Sequence, residues 1–229
     1  MPAPTNANYE AEYVRTLFDE FAPNYHLSGR FSFGLDDTIR RMAVAELQGK
    51  PIAICDMMSG SGQNWKFIKQ RYPKAQITAV DFSTGMNAAA KTDSSIKVLQ
   101  QCATDTSISD NCMDAVVCSF GIKTMGHEQQ LAFCHEVLRI LKPGGQFVIV
   151  EFSKPKGGFA LLYHVYFQLL LPLLLLFAGK EFRHHTLLKS YVDAFGDISD
   201  LKTHLESRCQ SLHRITYLCG LVTGIKGVK

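Results

Sequence analysis

The sequence has little excess of either charge sign, and this excludes its most obvious partner class. Against 24 Lys and Arg stand 21 Asp and Glu, a formal charge of +3, far below the basic face that a nucleic-acid binder displays. No nucleic acid is expected. The seven cysteines are odd in number and contain no C-x-x-C pair. That rules against a disulfide framework or a zinc site and fits small core residues in a reducing compartment. The opening stretch "MPAPTNANYEAEYVRTLF" lacks a charged start followed by an apolar run, so no secretory signal is read and a cytoplasmic location is expected. Internal repeats and low-complexity linkers are missing as well. With 229 residues the chain is long enough to bury a large core as one domain.

From residue 51 onward, strand and helix patterns alternate. "PIAICDM" (51–57), "QITAVD" (76–81), "IKVLQQ" (96–101), "MDAVVCSFG" (113–121) and "QFVIVEF" (146–152) read as strands, separated by helical segments. Ser83 is the expected N-cap of one helix, and "HEQQLAFCHEVLRIL" carries an apolar helical stripe. "KPGG" is expected to turn the chain into the fifth strand. Two amphipathic helices, roughly 9–22 and 35–48, come first, and "HRITYLCG" and "LVTGIKGVK" read as a closing antiparallel pair. The expected class is α/β: a mostly parallel sheet with helices on both faces.

The chemistry is concentrated in "CDMMSGSGQNWKFI", residues 55–68. A dinucleotide turn needs G-x-G-x-x-G, but the third position after Gly60 and Gly62 is Trp65. A P-loop needs a lysine and a hydroxyl after its last glycine, and Gln63-Asn64 stand there. What remains is D-x-x-x-G-x-G (Asp56, Gly60, Gly62) at the end of the first strand, with Asp81 ending the second. Asp81 is placed to accept hydrogen bonds from the two hydroxyls of a ribose, while the glycines let bare backbone approach the ligand. A pyrophosphate would favour a helix N-terminus without nearby acids. S-adenosylmethionine has no phosphate, and a carboxylate suits its ammonium and sulfonium charges, so it is the expected cofactor.

The chain resembles the UbiE-type C-methyltransferases of ubiquinone and menaquinone synthesis, a branch of the class I methyltransferases. "RILKPGGQFVIVEFSKP" (139–155) matches that family's second signature closely, and "DFSTGM", "SDNCMDAVVCSFGIK" and "LKSYVDAFGDISDLKTHL" follow its pattern. The first signature is poorly kept: Tyr25 and "SFG" fit, whereas His26, Ser28, Gly29, Asp36 and Ile39 depart. The resemblance implies a Rossmann-like seven-stranded sheet, to which the sequence pattern adds N-terminal helices and a hydrophobic lid after strand five. It adds Ser61, Cys102, Ala103 and Ser119 to the cofactor contacts, Cys102 standing where the family has Asn or Asp. Adenine recognition there would rest on backbone groups or Asp105, because a thiol is a weak hydrogen-bond partner.

The same resemblance puts Lys123 near the acceptor, as a cation or base for a phenolate, with an exposed lysine at the cleft mouth as the plain alternative. His26, beside Tyr25, is a second candidate base, and Tyr25 completes the candidate catalytic set. The departures at 26, 28, 29, 36, 39 and 123 are read as clustering at the acceptor. His184-His185 have no spaced partner ligands, so no metal is expected. Residues 157–179 form an uncharged run interrupted by Pro172. It is read as a lid that roofs the acceptor and touches a membrane surface, possible as a peripheral rather than crossing contact. Core helices on the sheet, or a homodimer contact, are the other readings. The organisation expected is a helical cap (1–50), a cofactor core (51–153), a lid (154–195) and a closing helix with strand pair (196–229). The function expected is methylation of a small lipophilic aromatic acceptor, first a prenylated quinol carbon. The alternatives are a specialised-metabolite N-, O- or C-methyltransferase and a non-catalytic scaffold of quinone synthesis.

Overall fold

The computed structural model of the protein describes residues 9–23, 25, 32, 34–90, 95–173 and 185–229. Its strands are β1 (Ala53–Met57), β2 (Gln76–Val80), β3 (Ile96–Leu99), β4 (Met113–Ser119), β5 (Leu141–Phe152), β6 (Ser211–Tyr217) and β7 (Val222–Val228). They form one seven-stranded sheet in the order β3-β2-β1-β4-β5-β7-β6. The first five are parallel, and β7 runs antiparallel between β5 and β6. Strand order reverses between β1 and β4, which opens a crevice beyond their C-terminal ends.

The helices are α1 (Ala11–Phe21), α2 (Leu35–Ala45), α3 (Trp65–Arg71), α4 (Thr84–Ala89), α5 (His127–Ile140), α6 (Gly158–Val165), α7 (His185–Phe195) and α8 (Ser199–Leu205). Because side chains alternate along a strand, β1 feeds two cores. Cys55 and Met57 pack with Phe133 and Val137 of α5 and Leu201 and Leu205 of α8. Ile54 packs on the other face with Ile39 and Ala43 of α2 and Trp65 and Ile68 of α3. Each such buried side chain contributes about 1.5–3 kcal/mol. All seven cysteines are free, and Cys55, Cys118 and Cys134 are buried.

Local signals account for the element ends. The Ser83 hydroxyl accepts the Met86 N–H at 3.0 Å and so caps α4. At α5 the Gln129 side chain accepts the Gly126 N–H at 2.9 Å. "KPGG" behaves differently from expectation. Leu141 already pairs with Met113, and pairing resumes with Ala115 opposite Gln146. Residues 142–145 are therefore a bulge within one long strand rather than a turn ahead of it. Gly144 takes a positive φ of 77° there.

Residues 157–173 also differ from one expectation. After α6 the helix widens into a π turn, Tyr166–Leu170, in which Leu171 N–H bonds to Tyr166 O. The wide turn lies one residue ahead of Pro172, whose ring could not follow ordinary helix without a clash. Among these residues Tyr163 and Leu171 are buried, while Phe159, Leu161, Leu162, Val165, Leu169, Leu170 and Leu173 are exposed. This segment is not a core helix on the sheet. The remainder of the apolar run, 174–179, lies outside the described residues.

Candidate cofactor site

The glycine turn owes its form to what surrounds it. Gly60 has φ 54° and Gly62 φ 78°, conformations that L side chains rarely adopt. A Cβ on Gly62 would lie 2.4 Å from the Trp65 ring. Trp65 thus packs where a dinucleotide fold places its third glycine, and Gly62 makes room for the indole. Gly60 serves the neighbouring strand: its N–H donates to Asp81 Oδ2 at 2.8 Å, and the Ser83 N–H donates to Asp81 Oδ1 at 2.9 Å. Two backbone donors aim the carboxylate into the cleft, and a carboxylate has lone pairs left for further donors. Burial raises the pKa of Asp81, with those bonds opposing.

Asp56 lies behind the turn rather than in the cleft. It is fully buried. Its Oδ1 accepts from Asn64 Nδ2 at 2.8 Å, and its Oδ2 has no partner. Desolvation pushes its pKa up to about 7, opposed by the Asn64 bond and by the field of Arg40.

Cleft-lining residues among those expected are Tyr25, Gly60, Asp81, Cys102, Ala103 and Ser119; Ser61 and Gly62 are not among them. Cys102 is exposed, its Sγ 3.1 Å from Thr104 Oγ1. Asp105 is exposed and lies outside the lining, whereas Gln101 and Thr104 belong to it. Ser119 Oγ is buried without a partner, as is Ser59 Oγ. Tyr25 approaches Gly60, its Cε1 3.8 Å from where a Cβ would stand. Burial raises its phenol pKa, and Arg40 pulls the other way.

Lys123 corrects two expectations together. It is 5% exposed, so it is not a surface lysine, and it is absent from the cleft lining. Its ammonium donates to Glu151 Oε1 at 2.9 Å and to Phe120 O at 3.0 Å, and its backbone N–H donates to Glu151 Oε2 at 3.1 Å. It stands behind the Ser119–Gly121 wall and holds it in place. Asp36 and Ile39 are absent from the cleft lining as well. Ile39 packs in the core of α2, and Asp36 accepts from Ser32 Oγ at 2.6 Å. His26, Ser28, Gly29 and His184 lie outside the described residues.

Sequence reasoning missed Arg40, Ser59, Gln101 and Thr104. Arg40 had a readable signal. Asp36, Ile39, Arg40, Ala43 and Val44 form the buried stripe of α2, and a charge on such a stripe is rare without a purpose. Two non-glycine residues at positive φ, Met58 (55°) and Phe120 (67°), also line the cleft. Such strained positions concentrate at functional sites.

Residues 6–227 match the model of the ubiE/COQ5 methyltransferase family. The chain belongs to that family. Among curated relatives, a demethylmenaquinone methyltransferase of Thermus thermophilus is 36% identical over 188 residues, covering 78% of this chain and 84% of that protein. The ubiquinone/menaquinone biosynthesis C-methyltransferase UbiE of Geotalea daltonii is 34% identical over 176 residues, covering 72% and 74%. Solved structures share the fold at low identity. A S-adenosylmethionine-dependent methyltransferase from Thermotoga maritima superposes with TM-score 0.66 at 15% identity, covering 93% of this chain and 99% of that one. One from Aquifex aeolicus gives 0.58 at 15% identity, covering 82% and 88%. This ubiE/COQ5 family member is a S-adenosylmethionine-dependent methyltransferase with the class I, Rossmann-like fold.

The residues present fit that cofactor. Asp81 and Gly60 suit the ribose, Phe82, Met86 and Ala103 give the same side of the cleft an apolar wall, and the unpartnered Ser59 and Ser119 hydroxyls await polar ligand atoms. Among the described residues, no group of three or more His, Cys, Asp or Glu could hold a metal ion. No helix among them is long and apolar enough to cross a membrane.

Proposed function

We propose that this methyltransferase transfers a methyl group to a ring carbon of a prenylated quinol. The observation that carries the reading is a family-type cofactor cleft in a chain whose relatives are named as demethylmenaquinone and ubiquinone/menaquinone methyltransferases. Bound S-adenosylmethionine supplies an electrophilic methyl group on sulfur. The chain's own residues then align the acceptor, exclude water and favour the ring oxyanion that makes the carbon nucleophilic. Tyr25 is the candidate for the last task. Its raised pKa keeps the phenol protonated at neutral pH, so it donates a hydrogen bond to an oxyanion in the cleft. His26, adjacent in sequence, is the candidate base for the quinol proton. Lys123 acts as a positioning residue, through the Glu151 pair and the wall it supports.

The changed residues in the first signature give weaker support for an unusual acceptor than their number implies, because Asp36 and Ile39 have structural partners of their own. We further infer a functional organisation of cap (1–50), cofactor core (51–153), hydrophobic lid (154–195) and closing segment (196–229). The lid would rest peripherally on a membrane surface, where a polyprenyl tail is found. The direct test is incubation of purified protein with demethylmenaquinol and S-adenosylmethionine under reducing conditions. Menaquinol formation by mass spectrometry is expected, and S-adenosylmethionine binding without any methylated quinol would discard the acceptor.

A further inference from the structure

Two histidines outside the cleft face each other. His135 of α5 and His204 of α8 stand 69 residues apart in sequence, and neither lines the cleft. Their Nε2 atoms are 3.3 Å apart and their ring centroids 5.1 Å, with 66° between the ring planes. Apolar packing fixes the helices beneath them, since Cys134 and Val137 of α5 share one core with Leu201 and Leu205 of α8. The imidazoles themselves reach solvent.

The neighbouring charge decides how the pair is protonated. A guanidinium has only donors, and Arg208 Nη1 stands 3.5 Å from His135 Nδ1. His135 therefore carries its proton on Nε2 and donates it to the Nε2 lone pair of His204. A second proton would set two like charges side by side, next to Arg208. Desolvation lowers the pKa of His204, and Arg208, His135 and His127 add to that. The pair stays neutral at neutral pH, and neutral imidazole is the form that binds a metal.

The spacing suits an ion as well as a shared proton. A tetrahedral divalent ion about 2.0–2.1 Å from each of two nitrogens sets them about 3.3 Å apart. We propose that His135 and His204 form a two-histidine site for a divalent ion of the zinc, nickel or copper class. Imidazole ligands select these over magnesium and calcium. No third His, Cys, Asp or Glu completes the set among the described residues, so water fills the remaining positions. On binding, the His135 proton moves from Nε2 to Nδ1, the exposed Arg208 turns away, and the ion takes the place of the proton between the rings. The site joins α5 to α8, which leads into the closing strand pair. Occupancy thereby staples the closing segment to the sheet-covering helix α5.

The test uses the full chain without an affinity tag, stripped of metal by a chelator and dialysed. Its thermal midpoint is read against zinc chloride, nickel chloride and magnesium chloride. Zinc or nickel at ten times its dissociation constant is expected to raise the midpoint by about 3–6 °C, and magnesium to leave it in place. His135→Gln and His204→Gln should each abolish the rise, because one imidazole cannot clamp two helices. His213→Gln, on the exposed face of β6, should keep it. One equivalent of copper(II) in the wild type should give an electron paramagnetic resonance spectrum split by two imidazole nitrogens. No rise in the wild type, or an equal rise in all three variants, would overturn the inference. A copper spectrum split by a single nitrogen would do the same even if the variants did not fold.

Discussion

Gly62 shows how one residue serves a site it does not touch. Its positive φ and the Trp65 ring 2.4 Å from a hypothetical Cβ leave no space for alanine. Gly62→Ala is expected to destabilise the protein by about 2–4 kcal/mol, from left-handed strain plus overpacking, seen as a lower midpoint in urea. Asp56 offers a second test, through pH. Its folded-state pKa is raised to about 7, above an unfolded value near 3.9. The folded chain therefore keeps a proton that the unfolded chain has released, and stability falls as pH rises from about 4 to about 7. Asp56→Asn retains an oxygen for Asn64 and removes the titration. Its thermal midpoint should exceed that of the wild type at pH 8 and approach it at pH 5, and a difference independent of pH would count against the assignment. At this scale the sequence was partly legible. The glycine pair and Asp81 sit at strand ends that periodicity locates. Lys123 was misjudged because its partner Glu151 is 28 residues away, and no local pattern reveals a contact between the turn after β4 and the parallel strand β5.

Secondary elements were easier to foresee than their boundaries. Alternation and helical stripes identify the strands and most helices, since burial on one face demands those periods. The bulge at 142–145 and the π turn at 166–170 were not foreseen. Each depends on register against a neighbour or on how a helix accommodates a proline. The exposed leucines of α6 and the turn after it belong to this scale. Phe159, Leu161, Leu162, Leu169 and Leu173 face outward, with Lys154 and Lys156 before them in sequence. Such a face binds an interface in proportion to its apolar area and its cations. Replacing Leu161, Leu162 and Leu169 with serine is expected to reduce co-sedimentation with anionic phospholipid vesicles severalfold while leaving the thermal midpoint nearly unchanged. Undiminished pelleting would exclude this face as the contact.

Across the whole molecule, the cleft exists because strand order reverses between β1 and β4. The sequence announced a parallel sheet but not that order, which is fixed by which helices cover which face. The closing pair has a larger part than its position in the sequence implies. β7 pairs with β5 along its whole length, from Gln146 opposite Val228 to Phe152 opposite Val222, and buries Val222 and Ile225. Deleting residues 211–229 would leave the β5 edge bare beside Glu151, and bare edges pair with other chains. The truncated chain is expected in the insoluble fraction after expression, and a soluble, cooperatively melting product would show that the parallel half stands alone.

That threading of β7 between β5 and β6 also bears on synthesis. The parallel half leaves the ribosome first, at about 5–20 residues per second, and emerges with one flank open for as long as residues 222–228 remain in the exit tunnel. During that interval the unpaired β5 edge is open to pairing with other chains.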